Sequence, residues 1–194
     1  MCESVSIDLL RHGEPVGGRR YRGGQDDPLS EAGWRQMEAA VADEAPWDHV
    51  VTSPLARCRE FARVLAARQG ASLQEEPRFR EIGFGAWEGR SAAELRREDP
   101  HCLRRFYHDP LGGRPAGAEP VTDFLERVRV AWEALLRERC GERVLVVAHA
   151  GVMRAVIAIL MHAPAERLFR IHIGQAALLR IRGDAERPPA LKLT

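Results

Sequence analysis

A chain of 194 residues, 45% hydrophobic and 29% charged, has apolar material for one full core and charge for a solvated surface, which fits a single soluble globular domain and makes a second module unexpected. Its 29 basic and 28 acidic residues nearly cancel, so no bulk attraction draws it to nucleic acid or to an anionic membrane, and any affinity for anions must be local. The basic residues are nearly all arginine, whose planar fork suits bidentate contact with phosphate, although GC-rich coding accounts for most of them.

In chain order, the apolar run Val5–Leu10 breaks at Arg11-His12-Gly13, as a buried strand does where it meets a loop. The Gly-, Arg- and Asp-rich stretch 15–28 predicts loop, after which Ser30 caps a helix to about Asp43, with Gly33 as an unfavourable interior residue. Residues 48–52 predict a second strand. Ser53-Pro54 then supplies an N-cap and a first-turn proline for a helix over 54–68, with Leu55, Phe61 and Leu65 on its buried face. Gln69-Gly70 closes that helix, and 80–89 predicts an irregular turn of glycines and aromatics. A short helix is expected over 91–97, whereas 101–120 lacks periodicity and predicts a partly ordered excursion. Val121, Phe124, Leu125, Val128, Trp132, Leu135 and Leu136 recur at helical spacing, with Gly141 as the stop. The β-branched run 143–148 predicts a strand buried on both faces, followed by a helix over 151–161 and a last strand over 176–181. This alternation predicts an α/β fold, a three-layer α/β/α sandwich around a mostly parallel sheet, as one domain over 1–194 with a small cap at about 91–120.

Cys2, Cys58, Cys102 and Cys140 are scattered, with no C-x-x-C pair and no secretory signal ahead of them, which predicts reduced thiols in a cytoplasmic protein. No apolar run approaches the roughly 20 residues of a membrane span.

Arg11-His12-Gly13 follows the first predicted strand, Ser53 to Arg57 the second and His149-Ala150-Gly151 the third. Ligands of open parallel sheets bind at the carboxyl ends of strands, so two histidines and two arginines should meet there. A phosphate ester dianion must be neutralised and oriented before an uncharged imidazole can approach phosphorus in line, and arginines supply both charge and geometry. Helices starting after Ser53 and His149 would add backbone donors.

Leu10-Arg11-His12-Gly13-Glu14, Ser53-Pro54-Leu55-Ala56-Arg57, Glu81 ahead of Phe84-Gly85-x-Trp87-Glu88-Gly89, and Ala148-His149-Ala150-Gly151 stand in the order of the histidine phosphatase superfamily, which the chain resembles over about residues 5–180. The resemblance implies a phosphoglycerate-mutase-like fold and a metal-independent, cofactor-free phosphomonoesterase. In it His12 is the nucleophile, Arg11 and Arg57 clamp the phosphoryl group, His149 hydrogen-bonds its oxygens and Glu81 protonates the leaving oxygen. Arg22, on a loop that closes over substrate in relatives, is a further phosphate contact. Glu14, Trp87 and Glu88 are expected to hold loops, and His49, His101, His108, His162 and His172 match no family position. Two departures stand out: Ala148 where many relatives carry Ser or Thr, and Ala150-Gly151 where Gly-Gly is common.

Mutases of the family it resembles usually carry a longer insertion between the acid and the second histidine, so beside them the modest excursion 101–120 implies water rather than a second substrate as acceptor. The loop with Gly23, Asp26 and Pro28-Leu29, with Gly117-Ala118-Glu119, looks most like the α-ribazole phosphatase branch of cobalamin synthesis, although the Ser that usually follows that Glu is Pro120 here. The expected partner is a small phosphorylated metabolite, with neither nucleic acid nor membrane, and a homodimer left open. The alternatives are a phosphoglycerate-mutase-type phosphotransferase and a non-catalytic phospholigand-binding protein. His12, His149 and Glu81 are zinc ligands on paper, but arginines beside them would repel a divalent cation.

Overall fold

A computed structural model describes residues 4–192. Its strands are β1 (Ser4–Arg11), β2 (His49–Thr52), β3 (Ser72–Glu75), β4 (Arg143–Ala148), β5 (Leu178–Asp184) and β6 (Ala190–Lys192), in the sheet order β3-β2-β4-β1-β5-β6. The first four in that order run parallel; β5 lies antiparallel to β1, and β6 antiparallel to β5. The helices are α1 (Glu31–Val41), α2 (Ala56–Gln69), α3 (Ala92–Glu98), α4 (Cys102–His108), α5 (Val121–Glu138) and α6 (Ala150–Leu160).

Side chains alternate across a strand, so β1 and β4 feed two cores. Ile7, Leu9, Val144, Val146 and Ala148 pack with Phe124, Val128 and Trp132 of α5 and with Val152, Met153 and Val156 of α6. Leu10, Leu145 and Val147 pack on the other face with Met37 of α1 and with Phe61 and Leu65 of α2. Helices on both faces of a mostly parallel sheet make the expected α/β fold. Asp8, fully buried in β1, accepts a hydrogen bond from Trp47 Nε1 at 2.8 Å and pairs with Arg182 at 2.7 Å and Arg143 at 3.1 Å, so its charge is compensated.

Several expectations need correction. Helix α2 begins at Ala56 rather than Pro54, and Ser53 is not its cap. Instead the Asp26 carboxylate, from the loop after β1, accepts from Ala56 N at 2.6 Å, a tertiary contact that local pattern does not disclose. The excursion 101–120 contains α4, whose Cys102, Leu103 and Phe106 bury against Trp87 and Leu95 in a small third cluster. The last predicted strand starts two residues later, at Leu178, and runs on to Asp184. Strands β3 and β6 carry no alternating apolar pattern and pass unpredicted; they are held by backbone pairing at the sheet's edges. Cys58 and Cys102 are free and buried, but Cys140 is disulfide-bonded, against the expectation of reduced thiols. Separation in sequence does not set separation in space, and Cys140 closes α5 beside the start of β1, where Gly141 N donates to Ser4 O at 3.1 Å. Cys2 lies outside the described residues. Among the described residues no helix is long and apolar enough to cross a membrane.

Candidate active site

Because β1, β2 and β4 are parallel, their carboxyl ends share one edge, where His12, Ser53 and His149 follow them. The ladder runs on past the strands: His12 N donates to Ala148 O and Ser53 N to Val147 O, both at 3.0 Å. The turn after His12 is locked by a close approach of two backbones. A Cβ on Gly13 would lie 2.2 Å from Gly33 O, and one on Gly33 would lie 2.2 Å from Glu14 O. The glycine that weakens α1 on propensity is therefore required by the loop it supports.

His12 is 7% exposed, with Nδ1 2.7 Å from Gly13 O. A carbonyl only accepts, so Nδ1 carries the proton and Nε2 keeps its lone pair. Burial, then the neighbouring Arg57 and Arg11 charges, hold the imidazole well below the usual histidine range, and it is neutral at physiological pH.

His149, the N-cap residue of α6, is fully buried, and its ring centroid lies 5.2 Å from that of His12. Its Nε2 is 2.7 Å from Ser53 Oγ; Leu55 N donates to that oxygen at 3.3 Å, and Cys58 Sγ lies 3.7 Å from the same His149 nitrogen. Burial and then Arg57 depress its pKa in the same way. The Ser53 contact escapes sequence reasoning, which spends that hydroxyl on a helix cap.

Arg57, in the first turn of α2, is fully buried, with Nη1 donating to Gln25 O at 2.6 Å. Arg11 Nη1 donates to Ile173 O at 2.6 Å. On both arginines the buried Nε–H has no hydrogen-bond partner among the described residues. A buried guanidinium donor left unpaired is costly, so each is a standing invitation to an anionic oxygen. Arg22 differs. Its Nε pairs with Asp27 at 2.5 Å and its Nη atoms donate to Gly18 O and Val16 O at 2.7 and 2.8 Å, so its donors serve the loop.

Glu81 arrives from the irregular 80–89 turn. Its Oε2 accepts from Gly151 N, in the first turn of α6, and its Oε1 from Ile82 N, each at 3.0 Å. The Gly151 N–H is thus taken by this carboxylate. Arg127 of α5 holds the turn by donating to the carbonyls of Arg78, Arg80 and Glu81 at 2.6, 2.8 and 3.1 Å while pairing with Glu119 at 2.7 Å. Burial raises the Glu119 carboxyl, but the bonds from Arg127 and Gly83 N outweigh it and keep the group below the ordinary range. Glu88 accepts from Gly23, Gly24, Gln25 and Phe84 N–H groups and so ties the loop after β1 to the Glu81 turn, the loop-holding role expected of it.

Arg11, His12, Arg22 and Glu81 line one cavity of about 460 Å³; Arg57 and His149 are fully buried and not among its lining residues, and the Arg57 charge acts on His12 electrostatically. Tyr21, Phe84, Phe106, Tyr107 and Phe169 form an aromatic side, and Arg154 and His172, neither singled out from sequence, also face the space.

Known proteins share this fold. The model of the histidine phosphatase superfamily (branch 1) matches residues 7–194. The chain is 35% identical over 175 residues to the bifunctional protein Rv2228c of Mycobacterium tuberculosis, covering 88% of this chain but 48% of that protein, so it spans about half the length of this relative. It is 27% identical over 181 residues to the "Probable phosphoglycerate mutase GpmB" of Yersinia pestis, covering 91% of this chain and 84% of that protein. Among solved structures, the mycobacterial glucosyl-3-phosphoglycerate phosphatase Rv2419c superposes with a TM-score of 0.83 at 26% identity, covering 98% of each chain. The α-ribazole phosphatase of Shigella flexneri does so with 0.81 at 28% identity, covering 97% of this chain and 95% of its own.

Proposed function

Because the chain belongs to the histidine phosphatase superfamily (branch 1), we propose that it hydrolyses the phosphate monoester of a small metabolite through a phosphohistidine on His12. The observation that carries this reading is the tautomer of His12: with Nδ1–H spent on Gly13 O, a neutral Nε2 stands beside His149 and two arginines with unpaired donors. Nε2 attacks phosphorus and the ester P–O bond breaks, while Arg11, Arg57 and His149 stabilise the charge spread over the phosphoryl oxygens. Glu81 gives its proton to the leaving oxygen. As a carboxylate it then takes a proton from the water that attacks phosphorus, breaking the P–N bond and restoring both groups. The arginines supply the charge a divalent metal would otherwise bring, so activity should survive a chelator.

Rapid quenching with a labelled ester tests this directly. Acid-labile, base-stable phosphate should appear on His12 and vanish in His12→Ala, whereas label kept at full stoichiometry in the variant refutes this nucleophile.

Between the Glu81 turn and α5 the chain builds only α3 and α4, seven residues each, which supports water rather than a retained second substrate as acceptor. For the substrate, α-ribazole phosphate is supported by the loop resemblance and one structural neighbour, and a phosphoglycerate-type ester by another. Glu119 itself is consumed by Arg127 and Gly83, so that motif is scaffold and does not read the substrate. Hydrolysis of α-ribazole phosphate would place the enzyme in cobalamin synthesis.

A further inference from the structure

Two arginines reach the cavity from anchors on one short segment. Arg11 Nη1 donates to Ile173 O at 2.6 Å, and Arg154 Nε, from the second turn of α6, donates to Ile171 O at 2.7 Å. Ile171 is extended, with φ −100° and ψ 124°, and carbonyls two residues apart on an extended chain point the same way about 6–7 Å from each other. His172, between those carbonyls, lines the same cavity.

Arg154 is poorly compensated. Its guanidinium lies 5.7 Å from the Phe169 ring centroid, burial lowers its pKa, and among the described residues no carboxylate forms an ion pair with it. Glu81 is the acid whose field favours its charge most. If Glu81 protonates the leaving group it must be neutral when substrate reacts, and that compensation is then gone. A dianionic phosphoryl group already has Arg11 and Arg57 to neutralise it. A half-buried cation with no counter-charge is costly in a protein and is offset most simply by a ligand's anion.

We propose that Arg154, with His172 lining the same cavity, forms a leaving-group subsite for a second anion, a carboxylate or second phosphate carried by the alcohol part of the substrate. This rests on the phosphatase reading and narrows it to substrates with an anionic leaving group, setting a neutral alcohol such as α-ribazole at a disadvantage. The aromatic residues of the cavity, Phe169 next to Arg154 among them, would pack the carbon frame that joins the two anions.

Matched esters test the subsite: 3-phosphoglycerate against its carboxyl methyl ester, and propane-1,3-diol bisphosphate against propyl phosphate. In the wild type, kcat/KM should favour the anionic member of at least one pair by about 30-fold, the size expected of a charge-assisted contact. Arg154→Gln, which keeps a donor for Ile171 O, should erase most of that ratio, and Arg154→Lys should restore part of it. Equal turnover within both pairs, no turnover of either anionic member, or an equal fall for both members in Arg154→Gln overturns the proposal. p-Nitrophenyl phosphate separates the two levels. If the wild type neither hydrolyses it nor forms phosphohistidine, the phosphatase reading fails; if it does both yet shows no anion preference, the subsite alone fails.

Discussion

Gly151→Ala should disable the proposed acid without touching it. The new Cβ would stand 2.0 Å from Glu81 Oε1 and 3.3 Å from Phe124 Cζ. Since non-bonded carbon contacts relax to about 3.5 Å, the carboxylate must swing by more than about 1 Å, which a flexible side chain can do. The 3.0 Å bond from Gly151 N to Oε2 breaks as it moves. Losing a charge-assisted hydrogen bond costs about 1.5–3 kcal/mol, while replacing glycine inside a helix returns about 0.5–1 kcal/mol. The net loss of stability is thus about 0.5–2.5 kcal/mol, and the fold should survive. Catalysis is more sensitive, because displacing a reacting group by about 1 Å costs on the order of 100-fold. Pre-steady-state phosphorylation of His12 is the assay, comparing an alkyl phosphate, whose alkoxide needs a proton, with an aryl phosphate, whose phenolate needs little. We expect the alkyl rate to fall about 100-fold and the aryl rate less than tenfold. A folded variant in which both rates fall equally, or in which the alkyl rate is unchanged, refutes the assignment of Glu81 as the acid.

The same assay separates acid from clamp: Glu81→Gln should slow the alkyl reaction by about 100-fold or more with a small aryl effect, whereas Arg57→Ala, which removes stabilisation common to both, should slow both to a similar extent. The depressed pKa values of His12 and His149 also predict how stability responds to pH. Their contribution is complete above the unfolded histidine pKa of about 6.5 and falls as pH drops below it, by up to about 1.4 kcal/mol per pH unit for each ring while the folded form stays neutral. Urea midpoints that do not move between pH 7 and pH 5.5 would contradict that burial. Gly33→Ala should cost more than Gly151→Ala, because its Cβ meets the Glu14 backbone carbonyl rather than a movable side chain; we expect a loss of at least about 2–3 kcal/mol, measured by chemical denaturation, with activity falling alongside.

Where local sequence and tertiary need coincide, the fold is legible. Strand β4 has its predicted bounds because five consecutive residues buried between two helical layers, Val144 to Ala148, leave no other pattern, and α5 shows itself by a regular apolar stripe. Prediction slips where one residue serves a distant partner. Ser53 followed by Pro54 reads as a helix start, yet its hydroxyl is drawn to His149, 96 positions away, and the cap of α2 comes from Asp26. Arg22 reads as a clamp, but Asp27, five residues on, has claimed it. Arg154 sits in the run Gly151-Val152-Met153-Arg154-Ala155-Val156, where nothing local distinguishes a cavity-facing cation from one that reaches past an apolar face to water. Only the backbone carbonyl of Ile171, brought over by the segment leading to β5, turns it toward the space shared with Arg11. The residues proposed to do the chemistry were announced by motif because bond-making at phosphorus tolerates few substitutes. A residue that recognises the rest of the substrate can come from any element that reaches the cavity, and it becomes visible only once the chain has folded around that space.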